Sequence, residues 1–164
     1  MPTIQSICHW LQHTEWSQDV LQSSLLFPFI EGSHIMALAI SVGLVLILDL
    51  RLLRIAFRGE RVAVVMKQSA GLSMIGFGIM FLTGIILFVT QAEKAYNNRF
   101  FVIKMILILA AGLNAAWYQW KYYPSMDEWD QSENPPLGPR ICAIVSLVCW
   151  AGVIGCGRTM AYEF

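Results

Sequence analysis

The sequence predicts an all-α integral membrane protein, a four-helix bundle with an N-terminal amphipathic interfacial helix. Three observations predict it. Of the 164 residues, 57% are hydrophobic and 13% charged, whereas a soluble domain carries about 25% charged residues. Mean hydropathy is +0.58. Four apolar stretches are each long enough to cross a hydrocarbon layer of ~30 Å, which takes about 20 residues of helix.

The first segment, residues 1–27, places Ile4, Ile7, Trp10 and Leu11 at helical spacing, with Trp16 beyond. It is too polar to span and suits a helix lying in the membrane interface. It has no cationic start or small-residue cleavage site, so the first span is expected to insert uncleaved. Residues 28–164 then form the bundle. Its first span covers about 29–53, with Glu31 and His34 near its start and Asp49 and Arg51 near its end. The second, 72–90, is nearly free of charge and contains Gly76, Gly78 and Gly84, which let neighbouring helices approach closely. The third covers 100–119. The fourth covers 141–161, after the run DEWDQSENPPLGP, whose acids, prolines and glycine are not expected to sustain a helix.

Basic residues set the expected orientation, because retained loops are enriched in Lys and Arg on the cytoplasmic side. The first loop carries Arg51, Arg54, Arg58, Arg61 and Lys67, which places both termini on the opposite, periplasmic side. Trp117, Tyr118, Trp120, Tyr122 and Tyr123 read as an aromatic belt at the headgroups. Asp49, Arg51 and Arg54 read as boundary anchors whose long side chains reach the headgroups. Asn114, Ser73 and Thr83 read as interhelical hydrogen-bonding groups. Lys and Arg together number 11, as do Asp and Glu; that balance offers no electrostatic footprint for nucleic acid. Cys142, Cys149 and Cys156 recur every seventh residue, too far apart along one helix to pair with each other, and read as packing residues.

Ionisable groups inside apolar spans are costly and mark candidate sites. The helix directions bring Glu31, His34, Lys104 and Arg158 toward one membrane face. Glu31 and His34 are three apart on neighbouring turns, a ligand-like spacing. One such copy is too little for a di-iron site. Zinc needs about three protein ligands and would have to recruit His9 and His13. Haem asks for less: one or two axial ligands, an apolar slot, and cations for its propionates. His34 suits the iron, with Lys104 and Arg158 for the propionates; His9, His13, Met36, Met105 and Met160 are the residues available as a second ligand. The alternative is structural: Glu31 pairs with Lys104 or Arg158, and His34 fills a polar pocket. Eight methionines and four cysteines lack the clustered spacing that a soft copper site favours.

In order along the chain stand WLQHTEWS, PFIEGSH, DLRLL, IKM, AGLNA and GRTMAY. With these blocks the sequence resembles, over nearly its whole length, a bacterial family of inner-membrane proteins of unknown function. Members of that family commonly place a histidine just after the third span, where this chain has Gln119. More distantly, His34 early in the first span and Lys104 early in the third are similar to the arrangement in copper resistance protein D and the haem-dependent membrane protoporphyrinogen oxidase. That resemblance implies His34 as a haem ligand and Lys104 as its neighbour. The resulting expectation is a small cytochrome-b-like protein holding haem b near the periplasmic face and exchanging electrons with quinone or a periplasmic partner. The contrasting expectation is a non-catalytic accessory subunit packed against larger membrane partners or further copies of itself.

Overall fold

The computed structural model describes residues 4–130, 132 and 136–163. Residues 1–3, 131, 133–135 and 164, parts of the expected N-terminal segment and third loop among them, lie outside the described residues. The helices are α1 (Ile4–Gln12), α2 (Glu15–Gln22), α3 (Leu26–Leu52), α4 (Val62–Thr90), α5 (Ala92–Asn97), α6 (Arg99–Lys121), α7 (Met126–Trp129) and α8 (Leu137–Glu163). No strand occurs among the described residues. α3, α4, α6 and α8 are each long and apolar enough to cross a bilayer, so the chain is a multi-pass membrane protein of all-α class.

α3 and α8 are central. A third of the apolar stretch of each is buried within the protein, against 6% for α4 and α6. α3 packs on α4 and on α8, and α8 packs on α6. The α3/α4 pair is tight because small residues face one another: a Cβ added at Gly76 would collide with Ser41 Oγ and stand 3.4 Å from the Ala37 carbonyl oxygen. Asn114 Nδ2 of α6 donates to the Cys142 carbonyl of α8 at 2.9 Å, an interhelical bond of the kind expected. α4 and α6, by contrast, bring no Cα atoms within 8 Å of each other among the described residues. Rings span that seam, Phe88 stacking on Phe101 with centroids 5.4 Å apart.

The two ends of the bundle are closed differently. At the face holding the start of α3 and the end of α8, here the terminal face, α1, α2 and α5 pack against the ends of α3 and α4 and against one another. Ser17 Oγ donates to the Val89 carbonyl (3.4 Å), and the Glu93 amide donates to Gln12 Oε1 (2.9 Å). Asn98 caps α6, its side chain accepting from the Phe100 and Phe101 amides. At the opposite loop face, α7 is clasped to the bundle. Arg51 Nη2 meets Asp130 Oδ1 at 2.9 Å, and Asp130 Oδ2 accepts from the Val62 amide at 2.7 Å. Arg51 Nε donates to the Glu60 carbonyl, and Trp129 Nε1 to the Tyr122 carbonyl at 3.0 Å.

Several expectations need correction. The amphipathic segment is two helices, broken at His13–Thr14, and the apolar Ile4, Ile7 and Trp10 remain exposed on α1. The second span begins at Val62 rather than residue 72, so Lys67 lies on a helix. α8 begins at Leu137, inside the run expected to be helix-free. Gly138 and Pro139 lie in its first turn, where a proline forfeits no helical hydrogen bond. Asp49 and Arg51 are buried, not extended toward headgroups, and Tyr118 sits in the core with its hydroxyl 3.9 Å from Met126 Sδ. Trp117, Trp120 and Tyr123 keep the exposure expected of a belt.

Candidate functional site

All four spans contribute to one polar layer about two turns below the terminal face. His34 lies eight residues into α3, Thr83 and Gly84 lie near the end of α4, and Lys104 lies five residues into α6. Gly157 comes from the last two turns of α8. With a rise of about 1.5 Å per residue these positions are nearly level.

His34 Nδ1 stands 3.0 Å from Thr83 Oγ1. The Thr83 hydroxyl donates its own proton to the Ile79 carbonyl at 2.7 Å, with the Met80 carbonyl at 3.2 Å. A Thr83 proton given to either carbonyl leaves Oγ1 to accept a hydrogen from His34 Nδ1. In the neutral ring this leaves the lone pair on Nε2. Gly84 makes room for the ring: a Cβ there would stand 3.2 Å from His34 Cε1.

Lys104 is half-buried and close enough to His34 for their charges to interact. Its Nζ would stand 3.9 Å from a Cβ at Gly157, and Cys156 is a further electrostatic neighbour. The ammonium thus sits between α6 and α8 rather than in lipid, as an intramembrane cation must.

Aromatic layers lie above and below. Toward the terminal face, Phe88 and Phe101 stack across the α4/α6 seam. Toward the middle of the bilayer, Phe77 of α4 and Trp150 of α8 meet with centroids 5.5 Å apart, each about two turns from the polar layer. A basic nitrogen and an ammonium are thereby enclosed between two apolar layers.

The expected convergence of four ionisable residues holds for two of them. His34 and Lys104 come together, whereas Glu31 and Arg158 are exposed. Arg158 lies over the Tyr162 ring, its guanidinium carbon 5.3 Å from the centroid. Glu31 makes no ion pair among the described residues, because it sits one turn nearer the helix start, above the layer. His9 and His13 stack on each other at 4.1 Å on the terminal face. Met36 and Met105 point outward. No group of three or more His, Cys, Asp or Glu placed to hold a metal ion occurs among the described residues. The donor set fits a single-ligand group: one imidazole with its other nitrogen anchored, and one cation. Thr83 and Gly84 act as expected, in an interhelical hydrogen bond and a close approach; that both meet His34 is what sequence reasoning missed.

These features define a four-span membrane protein with a half-buried histidine–lysine layer under one face. The chain belongs to a family of unknown function (DUF6644), whose model matches residues 22–163. Neither a curated protein nor a solved structure matches it.

Proposed function

We propose that this protein is a small cytochrome-b-like electron carrier of the bacterial inner membrane. In this reading His34 Nε2 holds the iron of one haem b near the periplasmic face, and Lys104 neutralises a propionate. Arg158 and Glu31 stand at the rim of the site. The observation that carries the reading is the His34–Thr83–Ile79 relay, in which a hydrogen on Nδ1 is donated to Thr83 and the lone pair of the neutral ring falls on Nε2. A ligating histidine almost always donates its other ring N–H to such an acceptor. Haem would supply one-electron transfer; the chain's own residues orient the imidazole, offset charge and exclude water. Quinone or a periplasmic protein is the partner for the electron. Resemblance of His34 and Lys104 to the arrangement in copper resistance protein D and the haem-dependent oxidase supports the same assignment.

The test is a visible spectrum of detergent-purified protein from haem-replete cells, oxidised and then dithionite-reduced. A Soret band that disappears in His34→Ala is expected; its absence from the wild type overturns the proposal.

A second reading, an accessory subunit in a larger membrane complex or homo-oligomer, draws on α4. Gly71 and Gly78 face outward there, with nothing within 4 Å of where a Cβ would be. Small residues on a lipid-facing surface admit another helix. Stoichiometric co-purification with a partner, undisturbed in His34→Ala, favours that reading.

A further inference from the structure

The loop-side half of the bundle holds a second ionisable residue that the histidine–lysine layer does not use. Asp49 of α3 is 5% exposed, and its Oδ2 is buried with no hydrogen-bond partner. The groups facing it are Ser146 and Cys142 of α8 and Tyr118 of α6. None is a cation. Arg51, two residues further along α3, is committed to Asp130 and to the Glu60 carbonyl. Lys121, at the end of α6, lies over the Trp117 and Tyr122 rings, 5.0 and 5.7 Å from their centroids.

Asp130 provides an internal contrast. It is buried almost as deeply, yet Arg51 occupies one of its oxygens and the Val62 amide the other. That is how a buried carboxylate is normally satisfied. Asp49 has the burial and the Ser146 hydroxyl beside it, but its Oδ2 has no partner. A bare carboxylate is disfavoured in such a place, whereas the neutral acid removes the charge and turns one oxygen into a donor. Ionisable side chains inside a bundle mark ion pathways and proton relays in membrane proteins.

We propose that Asp49 is an exchangeable proton-binding site, held between α3, α6 and α8 with Ser146 as its hydroxyl neighbour. The site is independent of the reading given to His34.

Dicyclohexylcarbodiimide tests this on the whole protein in lipid nanodiscs. The reagent adds to a carboxylic acid with no leaving group: a carbodiimide nitrogen takes the acid proton and the carboxyl oxygen bonds the central carbon. The adduct then rearranges to a stable N-acylurea that peptide mass spectrometry locates. At neutral pH, several-fold more adduct is expected on Asp49 than on Asp130, falling as pH rises and unchanged in His34→Ala. In parallel, the infrared spectrum should contain a carboxylic-acid C=O band that shifts in heavy water and is missing from Asp49→Asn. Asn replaces the neutral acid at nearly equal volume, so that variant is expected to fold. A wild type with neither the adduct nor the band overturns the proposal. So does protection from the reagent by sodium chloride but not by choline chloride, which reassigns the site to a metal cation.

Discussion

At the scale of single residues, the decisive contact is a threonine hydroxyl. Thr83 Oγ1 is the partner of His34 Nδ1, so under the proposed haem function Thr83→Val should leave the bundle folded while weakening haem retention about 10- to 100-fold. Thr83→Ser, which keeps the hydroxyl, should restore it. Titrating haem into the apo-protein and reading the Soret band measures both. His34 and Lys104 were legible in the sequence because an ionisable group within an apolar span has few places to go. Thr83 and Gly84 were legible as interhelical contacts but not as partners of His34, because that meeting depends on how α3 and α4 register against each other, set by the Ala37, Ser41 and Gly76 contact. Arg158 shows the same limit from the other side. Adjacent residues on a helix diverge by about 100°, so Gly157 faces Lys104 while Arg158 turns out onto Tyr162.

At the scale of elements, the four spans follow from apolar length alone, whereas their ends do not. A basic residue at a span boundary can reach headgroups or turn inward to an acid, and local sequence does not choose between these. Arg51 turns inward because α7 delivers Asp130 to it from a loop 79 residues away. Removing one member of a buried pair strands the other, at a cost of about 3–5 kcal/mol. Asp130→Ala should therefore lower the thermal midpoint in detergent markedly and free α7, seen as new protease cleavage near Met126–Trp129. Under the proposed haem function, the Soret band should persist in whatever fraction remains folded. A four-residue error in reading α8's start has a similar origin: Gly138 and Pro139 look like breakers, but a first helical turn tolerates both.

At the scale of the whole molecule, the bundle has two chemically distinct ends. The terminal face is capped by helices and the loop face by an arginine-rich turn, with Arg54 and Phe57 in left-handed backbone conformations. The positive-inside rule assigns that turn to the cytoplasm. Reporter fusions should accordingly be active as cytoplasmic reporters at residue 60 and as periplasmic reporters at the C-terminus; reversal of both would invert the orientation. His34 and Asp49 then lie about 22 Å apart along α3, near opposite surfaces.

The ring-bridged seam between α4 and α6 has one more consequence. Two helices that touch only through side chains can part without breaking a backbone contact, and the space they would open looks sideways into lipid. A greasy visitor to His34 would slip through that doorway directly from the acyl chains. Its occupancy would follow its mole fraction in the bilayer rather than its molarity in water, so diluting it with added phospholipid should empty the site even at constant total amount.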